Sequence, residues 1–324
     1  MKKIALLTSG GDAPGMNACI RAVVIAAAKM GMEVLGIKRG YQGLLENDFT
    51  ELDFDKIQGI IQKGGTILGS ARSETFKTAE GRKQAYLNLK KAEIEGLIVI
   101  GGDGTFKGAK ILMEEFPEMS VVGLPGTIDN DLFGTDYTIG YDTALNTAMN
   151  AIDKIRDTAD AHHRLFLVEV MGRDAGFIAL RSGIATGAES ILVPEFKTDL
   201  NELISEINSV YRSKNSSCIV VVAEGDDAGH AFEIVKNIKN LVDYKDIRVV
   251  VLGHVQRGGS PTCFDRVLSS RLGIAAVKAL KDGKKGIMIG QSGLKTVEIP
   301  FEKAIKHHQK LSTYLVEMIE ILTT

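Results

Sequence analysis

Short apolar runs and segments of helical period follow one another along this chain, at residues 4–7, 17–30, 34–37, 97–100, 106–116 and 121–124. Strands that alternate with amphipathic helices form a parallel, doubly wound sheet. After a polar stretch the alternation resumes, with strands expected at 165–170, 191–193, 219–223 and 249–252 and helices between them. A second α/β domain is therefore expected to begin near Ile139 to Asp142, with 144–156 as its first helix. A length of 324 residues allows this, because single cores stop growing near that size. The segment 302–322 carries apolar residues at helical spacing and is expected to pack onto the second domain.

The formal net charge is only −2, so no global field holds nucleic acid or an anionic membrane, and any anion must be bound locally. The means are visible in the 35 glycines, many of which cluster at the ends of apolar runs, where phosphate loops occur. Cys19, Cys218 and Cys263 lie far apart, which fits a reducing compartment and packing roles rather than a disulfide framework or a zinc site. Met1-Lys-Lys before residues 4–7 superficially resembles a signal peptide, but Ser9-Gly-Gly-Asp12 breaks the apolar run, so it reads as a first strand. No apolar run approaches a bilayer span, and a soluble, cytoplasmic protein is expected.

Five clusters carry chemistry. Pro125-Gly-Thr-Ile-Asp-Asn-Asp131 stops the run at 121–124, so Thr127, Asp129 and Asp131 should emerge at the carboxyl end of a strand, where α/β sheets present ligands. In an extended segment Asp129 and Asp131 share one face, and their like charges call for a metal ion, a cationic clamp or a shared proton. A polar turn with an Asn-Asp cap is the plain alternative. Thr8-Ser-Gly-Gly-Asp-Ala-Pro-Gly-Met-Asn17 follows a strand and opens a helix, so its amides can converge on an anion or simply form a tight turn. It has neither a Walker lysine nor dinucleotide-fingerprint spacing. Gly101-Gly-Asp-Gly-Thr105 repeats that logic and adds Asp103, which can hold Mg²⁺. Met171-Gly-Arg-Asp-Ala-Gly176 places Arg173 near a helix N-terminus, as a ligand or as a surface salt-bridge residue. Gly253-His-Val-Gln-Arg-Gly-Gly-Ser260 puts His254 and Arg257 on one mobile, glycine-rich loop, and Arg164 and Arg248 beside two strands add cations that could grip a sugar phosphate.

Together with Tyr41, Gly64-Gly-Thr-Ile-Leu-Gly-Ser-Ala-Arg72, Gly134-Thr-Asp-Tyr-Thr138, Val168-Glu-Val-Met-Gly-Arg173 and His254-Val-Gln-Arg-Gly-Gly-Ser-Pro261, these motifs resemble the bacterial ATP-dependent 6-phosphofructokinases over essentially the whole chain. The resemblance implies two doubly wound α/β domains with mainly parallel sheets: an ATP-binding domain of residues 1–140 plus 256–306, and a fructose 6-phosphate-binding domain of 141–255 plus 307–324. It further implies that Asp129 takes the proton of the sugar 1-hydroxyl, with Thr127 and Asp131 orienting the reacting groups. Gly11 would offer an amide to the transferred phosphoryl group, Arg72 and Arg173 would neutralise its charge, and Asp103 would hold Mg²⁺. Tyr41, Arg72, Lys77, Arg82, Gly102, Gly104, Thr105 and Gly108 would line the ATP site; Lys77 stands where an arginine is familiar.

For fructose 6-phosphate the resemblance implies Met171, Gly172, Glu224, His254 and Arg257 from one subunit, and Arg164 and Arg248 from a neighbour in a homotetramer with shared active sites. Two other readings compete. Pyrophosphate-using relatives tend to carry Asp and Lys where Gly104 and Gly126 stand, and a catalytically silent regulatory subunit would be expected to lack Asp129, Asp103 or Arg173. An effector site for ADP or phosphoenolpyruvate is matched at Arg21, Arg156, Gly187 and Glu189. It departs from the pattern at Ile25, Gly59, Ser213 and Asn215, with Lys214 and Arg212 as nearby substitutes.

Overall fold

The computed structural model describes residues 1–214, 216–306 and 310–322, which fall into two compact units. The first comprises Met1–Ile128, Leu132–Thr143 and Arg257–Gln309; the second, Asp129–Asp131, Ala144–Gln256 and Lys310–Thr324.

The chain opens with β1 (Lys3–Thr8), α1 (Met16–Lys29), β2 (Glu33–Ile37), α2 (Gly40–Glu46), β3 (Phe49–Glu51), α3 (Ala79–Lys91), β4 (Gly96–Gly101), α4 (Asp103–Glu115), β5 (Ser120–Pro125) and α5 (Tyr141–His162). There follow β6 (Leu165–Val170), α6 (Phe177–Ala185), β7 (Ser190–Leu192), α7 (Leu200–Lys214), β8 (Cys218–Ala223), α8 (Ala231–Ile238) and β9 (Ile247–Val251). Last come α9 (Cys263–Lys281), β10 (Ile287–Ser292), β11 (Lys295–Pro300), α10 (Phe301–Lys306) and α11 (Thr313–Leu322).

The first unit holds a seven-stranded sheet in the order β11-β10-β5-β4-β1-β2-β3, parallel except for the two antiparallel edges β3 and β11. Every residue of β4 is buried, as a parallel strand covered on both faces requires. Its core joins Leu7, Val99, Phe106 and Leu112 to Phe301, whose ring stacks on Phe106 with centroids 5.2 Å apart. The alanine-rich α1 packs closely on α9, where a Cβ at Gly273 would approach the Cys19 carbonyl oxygen to 3.1 Å. The second unit holds the all-parallel sheet β7-β8-β6-β9, with Leu165, Leu167, Val220 and Val222 packed against Ile207 and Ile234. The doubly wound, mainly parallel α/β class expected from the alternation is the class found.

Three details differ from expectation. The segment 302–322 contains two helices rather than one: Phe301 and Ala304 of α10 are buried in the first unit's core, whereas α11 packs on α6 of the second. Helical spacing marks an apolar face without saying which core receives it. The edge strand β3 and the hairpin β10–β11 are additions to the expected strands; the hairpin's turn is Gly293-Leu294, flanked by the alternating Thr296-Val-Glu-Ile299. Finally, Cys19 and Cys218 are packing residues with thiols pushed up by burial, but Cys263, at the start of α9, is exposed.

Candidate active site

In the first sheet the strand order reverses between β1 and β4, and the loops that leave their carboxyl ends meet there. A Cβ on Gly101 would collide with the Ser9 carbonyl and the Thr105 hydroxyl, so only glycine lets the two loops approach this closely. Thr105 Oγ1 donates to Ser9 O at 3.2 Å and ties them together. The amides of the first turn of α4, from Asp103, therefore open at the switch point, a ready anion site. A Cβ on Gly104 would meet nothing within 4 Å, so space beside this turn is open.

Asp103 is split in its commitments. Its Oδ2 pairs with Lys107 Nζ at 2.6 Å, while Oδ1 is buried and has no hydrogen-bond partner among the described residues. An orphaned buried carboxylate oxygen is costly, and a hard cation is the ligand that suits it. Asp103 thus offers one carboxylate oxygen to a Mg²⁺ ion, with no group of three or more His, Cys, Asp or Glu around it among the described residues, so the remaining ligands would have to be phosphate oxygens or water.

Several residues expected to line a nucleotide are packed beside this turn. Tyr41 is buried, stacked on Phe76 with centroids 3.9 Å apart, and donates its hydroxyl to Thr105 O at 2.7 Å; burial pushes its phenol far up. Both rings lie under Gly108, whose Cβ would come within 3.1 Å of each. Arg82 is buried and fully engaged: Nε donates to Glu115 Oε2 at 2.8 Å, Nη2 to Glu115 Oε1, and Nη1 to the carbonyls of Phe76 and Lys77. The Arg82 hydrogen bond in turn holds Glu115 below the usual carboxylate range. Lys77 pairs with Glu74 at the surface, and Arg72 is exposed.

Asn17, in the first turn of α1, donates from Nδ2 to the carbonyls of Lys63 and Gly64 and accepts from the Ile67 amide at 2.8 Å, pinning the loop that leads to Arg72. Gly11 lies under the guanidinium of Arg257, which occupies the place a Cβ would take and donates from Nη1 to Asp12 O at 3.2 Å. Arg257, expected on the sugar, thus rests against the loop of Gly11 and Asp12 in this structure. The stretch 253–257 is a 3-10 turn rather than a loose loop, and His254 on it is exposed.

The β5 strand ends at Pro125, in register with Gly101, and the Gly126 amide donates to Gly101 O at 3.0 Å. A Cβ on Gly126 would press on Ile100 and Met16 at 2.8 and 2.9 Å. Thr127 is buried, and its carbonyl accepts from Thr138 Oγ1 at 2.6 Å. Asp129 is also buried, and Asp131 is half-buried. Asn130 between them has φ 54°, so the segment is not extended and the strand alternation that put both carboxylates on one face does not apply. Asparagine is among the residues that tolerate this left-handed conformation.

In the second unit the turn after β6 is held from β8. Glu224 Oε1 accepts from the amides of Gly172 at 3.3 Å and Arg173 at 2.8 Å, so at least half of a carboxylate expected on substrate is spent on the loop. Arg173 itself has φ 57°, a strained value for a side chain of this size, and its guanidinium is exposed, only 3.6 Å from Asp174. Met171, two residues earlier, is buried, and Gly172 has φ 151°. Arg164 and Arg248 lie at the other end of the same sheet. Arg164 precedes β6, Arg248 pairs with Phe166, and both guanidiniums meet Asp246. A six-residue strand spans on the order of 20 Å, so these cations and the Met171–Arg173 turn of one chain cannot grip the same small phosphate.

Of the expected effector residues, Arg156 donates from Nη1 to Glu189 at 3.0 Å and from Nη2 to Gly187 O at 2.7 Å. Gly187 and Gly59 have φ 61° and 64°, and Arg21 and Ile25 are half-buried on α1. Ser213 turns back to Val210 O at 3.4 Å, and Arg212 is paired with Asp243 at 2.7 Å. Asn215 and the side chain of Lys214 lie outside the described residues. Sequence reasoning passed over Asp246, although it stands two residues before Arg248, and Lys107, although it is one helical turn after Asp103.

Residues 3–280 match the family model described as phosphofructokinase. The chain is 51% identical to ATP-dependent 6-phosphofructokinase 2 of Bacteroides thetaiotaomicron over 323 residues, covering 100% of this chain and 99% of that protein. It is 52% identical to ATP-dependent 6-phosphofructokinase 1 of Thermus thermophilus over 322 residues, with 99% of both covered. Among solved structures, phosphofructokinase of Pichia pastoris in the T-state superposes with a TM-score of 0.88 at 35% identity, over 99% of this chain and 37% of that one. A pyrophosphate-dependent phosphofructokinase from Nitrosospira multiformis also gives a TM-score of 0.88, over 99% and 92%, but at 20% identity this is a likeness of fold.

Proposed function

The chain belongs to the phosphofructokinase family, and on that premise we propose that it is an ATP-dependent 6-phosphofructokinase. It transfers the γ-phosphoryl group of ATP to the 1-hydroxyl of fructose 6-phosphate, giving fructose 1,6-bisphosphate and ADP in glycolysis, in the cytoplasm. The observation that carries this reading is the opening of α4. Beside the orphaned Asp103 oxygen, Gly104 leaves the space that an ATP α-phosphate needs. Gly126 offers no ammonium for pyrophosphate, and a side chain there would press on Ile100 and Met16.

In this mechanism Asp129 accepts the proton of the 1-hydroxyl as that oxygen attacks the γ-phosphorus, and Thr127 and Asp131 orient the reacting groups. The bond from the γ-phosphorus to the bridging oxygen breaks, and ADP leaves. Gly11 donates its amide to the transferred group, while Arg72 and Arg173 neutralise its oxygens. A Mg²⁺ ion held by Asp103 would supply further charge neutralisation on the phosphates. Gly102, Thr105 and Gly108 shape the nucleotide side; Tyr41 and Arg82 support it from behind, and Lys77 sits at its margin. Met171, Gly172 and His254 contact the sugar, Glu224 holds the Met171–Arg173 turn, and Arg257 steadies the loop at Gly11.

The opposed ends of the second sheet support a shared site: Arg164 and Arg248 bind the 6-phosphate of a neighbouring subunit in a homotetramer. The edge strand β9 next to them exposes Val251, as an interface strand would. ADP or phosphoenolpyruvate would be bound at Arg21, Arg156, Gly187, Glu189 and Lys214, weakly, because Ile25 and Ser213 supply no charge and Arg212 is engaged by Asp243. Phosphorus NMR of a mixture of fructose 6-phosphate, ATP and Mg²⁺ tests the main reading. Fructose 1,6-bisphosphate and ADP should accumulate one for one; ADP with inorganic phosphate and no bisphosphate would contradict it.

A further inference from the structure

Asp246 sits between the two arginines assigned to the 6-phosphate. Its Oδ2 accepts from Arg164 Nε at 2.5 Å and its Oδ1 lies 2.9 Å from Arg248 Nε. Arg248 Nη2 also approaches Oδ2, at a marginal 3.4 Å. The carboxylate therefore takes mainly the Nε edges. Both Nη groups of Arg164 and Nη1 of Arg248 have no hydrogen-bond partner among the described residues. The backbone of Asp246 is itself fixed, since its carbonyl extends the β6–β9 ladder by accepting from the Leu165 amide at 3.2 Å.

We propose that Asp246 is a positioning residue for sugar-phosphate recognition: it holds the Nε edges of Arg164 and Arg248 so that their Nη groups face one phosphate together. The proposal rests on the reading that these arginines bind the 6-phosphate. Without the carboxylate, two guanidiniums side by side repel each other, and Arg248, which is exposed, gains rotamer freedom that phosphate binding must then remove. With it, two cations and one anion leave a single net positive charge, aimed before the ligand arrives. Burial tends to raise the Asp246 carboxyl, but the Arg164 hydrogen bond and both guanidinium charges outweigh it and hold the group below the usual range, so it is ionised at neutral pH. A role in stability alone is the weaker account, because exposed ion pairs contribute little.

The test is steady-state kinetics of the assembled enzyme at saturating ATP and Mg²⁺, varying fructose 6-phosphate, for wild type, Asp246→Ala, Asp246→Asn and Arg248→Ala. Asp246→Ala should raise the fructose 6-phosphate KM roughly tenfold, the effect of losing one charge-assisted contact. Its kcat, ATP KM and thermal midpoint should stay near wild type, a split that general destabilisation would not give. Asp246→Asn, which keeps one acceptor oxygen, should fall between the two, and it carries the test if the alanine variant does not assemble. An unchanged or lower KM in the Asp246 variants, with a raised KM in Arg248→Ala, would overturn the positioning role. An unchanged KM in Arg248→Ala would overturn the clamp itself, and the role of Asp246 with it.

Discussion

Asp129 is the residue on which the proposed chemistry turns. It is buried next to a left-handed Asn130, in a turn that strand-like alternation does not describe. If it is the base, Asp129→Asn should lower kcat by at least roughly 10²-fold while leaving both KM values within a few-fold, since a positioned base contributes about 10² to 10⁴. Near wild-type turnover at saturating substrates would remove it from that role. At this scale the sequence shows which residue types are present, but not how each is already committed. Asp103 and Gly104 are legible because the chemistry lies in the motif itself. Arg82 and Glu224 are not: the first is engaged by Glu115, thirty-three residues away, and the second by the amides of Gly172 and Arg173. Nothing local to either residue announces such a long-range partner.

Among the elements, the strands are readable because each is a short, mostly apolar run, and β4, β6 and β8 are buried along their whole length. The edges are not, since β3 and β11 are short or alternate and face solvent on one side. The joint between α5 and α9 is equally hidden. Asp265 of α9 accepts from the amides of Gly140 and Thr143 and from the Thr143 hydroxyl, while Thr262, the N-cap of α9, donates to Asp142 at 2.6 Å. Asp265 thereby caps the start of α5, while α9 is capped by its own Thr262, whose Oγ1 accepts from the Asp265 amide at 3.3 Å and whose amide donates to Thr143 Oγ1 at 3.0 Å. Burial is the main influence on Asp265 and pushes it up to about 6, against the pull of those donors. A carboxyl raised on folding binds its proton more tightly in the folded state. Its contribution to stability is therefore full below the ordinary value of 3.8 and fades as pH rises towards about 6. The stability of wild type relative to Asp265→Asn, from urea unfolding, should accordingly fall by up to about 3 kcal/mol between pH 4 and pH 7. A difference independent of pH would mean that Asp265 is not perturbed in this way.

For the whole molecule, the second sheet carries Arg173 at one end and Arg164 and Arg248 at the other. If the phosphate clamp serves a neighbouring subunit, Arg248→Ala should raise the fructose 6-phosphate KM roughly ten- to hundredfold. Mixing it with Asp129→Asn and allowing subunits to exchange should then restore part of the activity, because some sites receive an intact half from each parent. No recovery after verified exchange would argue against sharing. Regulation belongs to the same scale: ADP and phosphoenolpyruvate should shift the fructose 6-phosphate curve little, because a ligand moves an equilibrium only by its differential affinity. A sigmoidal curve made hyperbolic by low ADP would show a working effector site. The choice of phosphoryl donor tests the central claim most directly. Initial rates with fructose 6-phosphate and Mg²⁺ should be high with ATP and absent with pyrophosphate, on protein free of other kinases. Comparable rates with both donors, or turnover with pyrophosphate alone, would contradict the account built on Gly104, Gly126 and Asp103.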